Sequence, residues 1–159
     1  VSKTLKMANG DLYLSEASGV AELLSGPSKV DQELFSLYST VFDPDRNWGS
    51  DFDISRFNSV GSPAEFKALL YARLTEANSR IIAMQAQDPY LDVATEKIRS
   101  FSRVEVYIDP LTSAGIFFVV ARVGDSNTEV GKALPFSYKP TEIGHVVAPD
   151  FPIVQQYKV

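Results

Sequence analysis

The chain has no cysteine, one histidine (His145), one tryptophan (Trp48) and two methionines among 159 residues. Without cysteine there is no disulfide scaffold, thiolate zinc site, iron–sulfur cluster or cysteine nucleophile. One histidine excludes histidine-rich zinc chemistry and the paired Glu-x-x-His motifs of di-iron bundles. Basic residues are outnumbered 15 to 20 and the net charge is −5, so a nucleic-acid partner held by phosphate neutralisation is not expected. No apolar run reaches the roughly 18 residues that a membrane span needs. The start VSKTLKMANGDLYL has lysines but no apolar stretch behind them, so no secretory leader is expected. Walker A, Gly-x-Gly-x-x-Gly and Gly-x-Ser-x-Gly motifs are also missing. What is present is 45% hydrophobic and 22% charged residues, enough for a single globular domain with a real core.

Residues up to Gly10 are polar and expected to fray or dock on a partner. Asp11–Leu14 and Val20–Leu24 flank a Gly-containing turn and read as a small N-terminal hairpin, with a helix at Val20–Leu24 as the competing reading. A first helix follows Gly26-Pro27, with Ser28 as its N-cap. Val30, Leu34, Leu37, Tyr38 and Val41 form its apolar stripe, and Pro44 stops it near Phe42. Asp43–Ser62 reads as loop. Ser62, Pro63 and Glu65 then form a capping box, opening a helix of about six turns with Phe66, Leu70, Leu74, Ala77, Ile81 and Met84 on its buried face.

Asp88-Pro89 repeats the cap-plus-proline signal and predicts a shorter helix over Tyr90–Arg99, burying Leu91, Ala94 and Ile98. Beyond Ser102 the period becomes two: Val104, Val106 and Ile108 alternate with Arg103, Glu105 and Tyr107. Ile116–Val123 is apolar enough to be buried on both faces, and a link containing Gly115 makes the two an antiparallel hairpin. After the turn at Gly124–Asn127, Leu134–Tyr138 is a third strand, placed at an edge by Pro135. The fold expected is α+β: a small antiparallel sheet packed against two or three helices, a domain spanning 1–139. Residues 140–159 are rich in proline yet carry Ile143, Val146, Val147, Phe151, Ile153, Val154 and Tyr157. They read as an extended C-terminal arm, packed on its own domain or on a neighbouring subunit.

Few residue groups point to chemistry. Asp43-x-Asp45-x-Asn47 has the oxygen spacing of a calcium loop, but Trp48 stands where glycine is needed and Ile54 where the bidentate glutamate belongs; an acidic surface turn is the plainer reading. Glu16, Glu22, Asp31 and Glu33 are available carboxylates for glycoside hydrolysis, but no segment sets one in an apolar pocket against a solvated second. No catalytic, metal or cofactor site is therefore assigned. What stands out is assembly: an exposed sheet edge is a hazard for a lone protein and an asset for one that binds by strand addition. Val119, Val120, Leu134, Phe136 and Tyr138 are the candidate partner-interface positions on the sheet, with Phe151 on the arm.

The order of signals resembles a known family. A hairpin leads to Ser25-Gly26-Pro27-Ser28-Lys29-Val30-Asp31-Gln32 and a helix, then Ser39-Thr40, Phe42-Asp43-Pro44-Asp45 and Trp48-Gly49-Ser50-Asp51-Phe52, a long helix, an acid-proline step and a β-hairpin. Over about Asp11–Tyr138 this is similar to the baseplate wedge and tail-sheath-initiator family of contractile phage tails, named for the phage T4 wedge protein. The family's typical positions would fall on Gln32, Thr40, Trp48, Gly49 and Phe52; of these Gln32, Trp48, Gly49 and Phe52 join Asp88 and Pro89 as interface candidates. Where the family often has Glu-Pro-Arg, this chain reads Asp88-Pro89-Tyr90, and Arg99 or Arg103 would have to supply the arginine in space. The label lysozyme-like is sometimes used for the family, but no residues here support hydrolysis. The resemblance implies a non-enzymatic virion component, six copies to a baseplate, assembled in the bacterial host cytoplasm. Its partners would be the tail sheath protein and the wedge, hub or tube proteins. Another tail assembly factor, tube-terminating or chaperone-like, is the alternative, followed by a carboxylate-dependent glycoside hydrolase.

Overall fold

The computed structural model describes residues 3–8, 11–15, 18–19, 21–51, 63–109 and 114–137. Phe52, Ser62, Tyr138, His145, Phe151 and the 140–159 arm lie outside the described residues. The chain is an α+β fold of short strands β1 (Thr4–Leu5), β2 (Met7–Ala8), β3 (Asp11–Leu12) and β4 (Leu23–Leu24), helices α1 (Gly26–Ser39) and α2 (Pro63–Gln87), and strands β5 (Ile98–Asp109), β6 (Ala114–Val123) and β7 (Thr128–Ser137).

β1 pairs with β4, β2 pairs with β3, and β5-β6-β7 form an antiparallel three-stranded sheet. Residues 3–8 do not fray. The Lys6 N–H donates to the Glu22 carbonyl at 2.8 Å, and the Tyr13 N–H donates to the Lys6 carbonyl at 2.9 Å. This strand therefore intervenes between much of the two runs expected to pair with each other, which among the described residues meet at the Leu14–Ala21 bridge and through the Glu22 N–H on the Tyr13 carbonyl at 3.5 Å. A Lys6–Glu22 ion pair at 2.8 Å and the Lys6 ammonium 4.1 Å from the Tyr13 ring centroid hold the junction.

α1 begins three residues earlier than an N-cap at Ser28 indicates. Ser25, not Ser28, is the N-cap residue, and its side chain makes no capping bond. The cap is supplied from 70 residues away: the Gly26 N–H donates to the buried Glu96 carboxylate at 3.0 Å, satisfying one of the orphan donors of a helix start. The helix ends at Ser39, before Phe42, because Thr40 turns extended (ψ 136°) with its N–H on the Ser36 carbonyl. The α2 stripe is as expected: Phe66, Leu70, Leu74, Ala77 and Ile81 are buried and Met84 packs on their edge.

The helix expected over Tyr90–Arg99 does not form. Residues 89–90 and 93–96 are turns and β5 already starts at Ile98. Aspartates compete for the backbone here. The Asp88 carboxylate accepts the Tyr90 N–H at 2.9 Å, and the Asp92 carboxylate accepts the Ala94 N–H at 3.1 Å and the Thr95 hydroxyl at 2.9 Å. β7 likewise begins earlier than expected, at Thr128, and Pro135 lies on it opposite Ile116, an edge position as the missing donor requires.

The core lies between the helices and one sheet face. Val30, Leu34, Leu37 and Tyr38 of α1 join the α2 stripe, Val106, Phe117, Val119, Ala121, Val123, Val130 and Leu134. The Tyr38 ring meets Phe117 edge-on at 5.4 Å between centroids. Its hydroxyl donates to Asn78 at 2.5 Å, and burial pushes it above the usual phenol range.

Candidate functional site

Two regions gather the residues singled out by sequence. The first is a cluster where the N-terminal strand, α1, the 41–50 turn and α2 meet. Gly49 has φ +95°, and a Cβ there would lie 2.6 Å from the Val41 carbonyl oxygen, so only glycine fits. Its own carbonyl accepts from Arg80 at 2.9 Å, and the Arg80 guanidinium lies 3.9 Å from the Phe42 ring centroid. The Trp48 indole N–H donates to the Ser36 hydroxyl at 3.3 Å while its ring packs against the core. The turn closes as a reciprocal Asp43–Trp48 backbone pair.

Gln32 uses both ends of its amide on the N-terminal strand. Its Nε2 donates to the Leu5 carbonyl at 2.6 Å and its Oε1 accepts the Met7 N–H at 2.7 Å. Gln85 repeats the device, donating to the Glu96 carbonyl at 2.9 Å and accepting from the Ile98 N–H at 2.8 Å. Each amide bonds a C=O and the N–H two residues on, as the N–H and C=O of one residue of a parallel neighbour strand do.

Lys29 sits 5% exposed at the centre of three carboxylates: Glu96 at 3.2 Å, Glu33 at 3.7 Å and Asp88 at 3.9 Å. Glu96, 0% exposed, also accepts the Asp92 N–H at 3.2 Å. Burial raises the acid of Glu33 above the ordinary range; Lys29 opposes this and Glu96 and Asp88 add to it. Lys29, Glu33, Trp48, Arg80 and Asp88 line a cavity of about 620 Å³. Among the described residues no group of three or more His, Cys, Asp or Glu side chains is set to hold a metal. Asp43 and Asp45 do not converge on a shared centre: the Asp43 carboxylate accepts the Asp45 N–H at 3.0 Å and pairs with Arg46 at 3.6 Å.

The structure thus brings Gln32, Trp48, Gly49 and Asp88 to one side of the helix layer. Pro89 is exposed in the turn after α2. Neither arginine proposed to replace the missing one reaches Asp88: Arg99 pairs with Asp125 and Arg103 with Glu105, and the cation beside Asp88 is Lys29.

The second region is the sheet. Val119 and Val120 are on β6, hydrogen-bonded to strands on both sides, and are 0% and 3% exposed. They are core positions and their backbone cannot receive a partner strand. Leu134 faces the helices; Phe136 pairs with Gly115 on β7. The edges belong to β5 and β7, each paired only with β6 among the described residues. β7 carries Pro135 and lies against α1. β5 has register shifts near Ile98–Ser100 and Phe101–Arg103, then runs regularly from Arg103 to Asp109.

Along that regular stretch the Arg103 guanidinium donates twice to the Glu105 carboxylate, at 2.9 Å each, and the Tyr107 hydroxyl donates to the same carboxylate. The Arg103 bonds, then the Tyr107 bond, lower the Glu105 acid to about 2. The alternation of these three polar residues was legible in sequence. Glu96, Gln85 and Lys29 were not, because the contacts that bring them together reach across 11 to 70 residues: Gln85 to Glu96, Lys29 to Glu96 and Gly26 to Glu96.

No protein-family model matches the chain, and no curated protein or solved structure does either.

Proposed function

We propose that the chain is a structural, non-enzymatic component of a contractile phage tail baseplate, joining the baseplate to the first sheath ring and templating sheath assembly by strand addition. One observation carries this reading on the structural side: β5 offers seven residues in regular register, Arg103–Asp109, on an edge with no strand beyond it among the described residues. Backbone donors and acceptors on such an edge give affinity to an extended segment of a partner. The self-bonded Arg103–Glu105–Tyr107 row keeps the edge charged and discourages indiscriminate pairing. The sequence resemblance supplies the rest: a place in the virion, six copies, the sheath protein on the edge, and wedge, hub or tube proteins around the Trp48–Gly49 turn and Asp88-Pro89.

The test is co-expression with a contractile-tail sheath protein and recovery of the complex. Successive N–H groups of a strand point to opposite edges, so of two single prolines, Val104→Pro and Glu105→Pro, one spares the β5–β6 ladder. That variant, recognised by its native circular dichroism, is expected to lose capture of the sheath protein. Full capture by the folded variant would overturn strand addition at β5.

A further inference from the structure

The edge strand β5 carries a pattern that its pairing with β6 does not use. Among the described residues β5 pairs with β6 alone, and its regular stretch reads Arg103-Val104-Glu105-Val106-Tyr107-Ile108-Asp109. In charge and polarity this run is symmetric about Val106. A cation at one end balances an anion at the other, a valine answers an isoleucine, and a carboxylate answers a phenol. The two rows of the strand are kept apart. Val106 belongs to the core under the helices and Val104 packs against it. The Arg103 and Glu105 side chains are 52 and 36% exposed, and Tyr107 is 45% exposed.

We propose that the β5 edge pairs with the β5 edge of a second copy of this chain, antiparallel about a two-fold axis through Val106. In this register Arg103 stands opposite Asp109, Val104 opposite Ile108 and Glu105 opposite Tyr107, and the symmetry repeats each pair. Opposite charges placed directly across an antiparallel pair stabilise it, and like charges destabilise it. Neighbouring registers lack the match. An axis through Glu105 sets the two Glu105 positions opposite each other, and an axis through Tyr107 sets Glu105 opposite Asp109. An axis between two residues sets the polar row of one copy against the valine row of the other. The two-fold stands perpendicular to the sheet, so both helix layers fall on one face and the two sheets run on as six strands. An edge that is a hazard when open is thereby covered by its own copy. Seven residues a side fall short of the roughly 20–30 of a standard interface, so the dimer forms at high concentration and separates on dilution. With the proposed capture of a sheath segment it shares only the edge, for which the two would compete.

Charge exchange tests the register in the full chain. Sedimentation of the parent from micromolar to millimolar concentration is expected to shift from the mass of one chain to that of two. Arg103→Asp sets an aspartate opposite Asp109, and Asp109→Arg sets an arginine opposite Arg103. Each variant alone, with native circular dichroism, should stay a single chain over that range. An equal mixture of the two should recover the dimer, because each copy then meets the opposite charge at both ends. A second measurement needs no variant. In a mixture of isotope-enriched and unenriched parent, filtered spectra should show Val104–Ile108 methyl contacts between chains, since the two residues lie about 13 Å apart along one strand. A parent that stays a single chain at millimolar concentration would overturn the proposal. So would single variants that pair as the parent does, a mixture that does not pair, or a dimer without the Val104–Ile108 contacts. Sheath capture is read separately by co-expression, so either reading can fail without the other.

Discussion

Glu96 keeps a carboxylate at zero exposure because three donors meet it: the Gly26 and Asp92 N–H groups and the Lys29 ammonium. A buried charge of this kind is tolerated only when fully bonded. Glu96→Ala is expected to lower unfolding free energy by about 3–5 kcal/mol, with Glu96→Gln less costly because an amide oxygen still accepts from Gly26. Urea unfolding measures both, and a loss under about 1 kcal/mol for the alanine variant would contradict the network. Glu33 behaves in the opposite sense. Its folded-state acid is raised, so the folded chain holds that proton more tightly than the unfolded chain. The favourable contribution is complete below the unfolded value near 4.5 and is lost as pH rises through the raised folded value. Glu33→Gln should therefore be more stable than the parent at pH 7 and lose that advantage below pH 4.5, as read from thermal midpoints across pH. Equal midpoints at pH 7 would contradict it.

At the scale of elements, side-chain amides replace strands. Gln32 completes the Leu5–Met7 edge and Gln85 the Glu96–Ile98 edge. The first is exposed and the second buried, so their loss is felt differently: water takes the place of Gln32, whereas nothing replaces Gln85. Gln32→Ala is expected to speed amide exchange at Met7 roughly tenfold, the equivalent of one net hydrogen bond, while leaving Ile98 unchanged. Unaltered exchange at Met7 would show that the Lys6–Glu22 and Lys6–Tyr13 contacts hold the strand alone. Gly124, at φ +73°, marks the other constrained junction. A Cβ there would lie 2.3 Å from the Ala94 carbonyl oxygen, so the β6–β7 turn and the 89–96 turns dock only through glycine.

Across the whole molecule β6 is the axis: it carries every ladder bond of the main sheet and sends side chains into both hydrophobic clusters. Its amides should therefore exchange only by global unfolding. Native-state exchange is expected to show Phe117–Ala121 as the slowest stretch, with β5 residues Arg103–Tyr107 faster by several fold. Protection of β5 matching that of β6 would mean that the β5 edge is already covered. The buried Lys29 with its three carboxylates lies on the helix side, away from the sheet edge proposed to bind a partner.

The α2 stripe, the alternation in β5, the double-sided burial of β6 and the edge position of Pro135 are all set by local sequence, since period, capping and a missing N–H act within a few residues. The pairing of the first strand, the start of α1 and the turns in place of a helix at Tyr90–Arg99 are not. They depend on Gln32, Glu96 and Gln85 meeting backbone groups up to 70 residues distant. Sequence also marked Val119 and Val120 as part of an apolar strand, but burial on both faces is equally compatible with an edge or a centre until the order of strands is known. Only the tertiary arrangement made β6 central and left the edge to β5, because strand order is fixed by which backbones pair, here β6 with both its chain neighbours, and not by the strands' own composition.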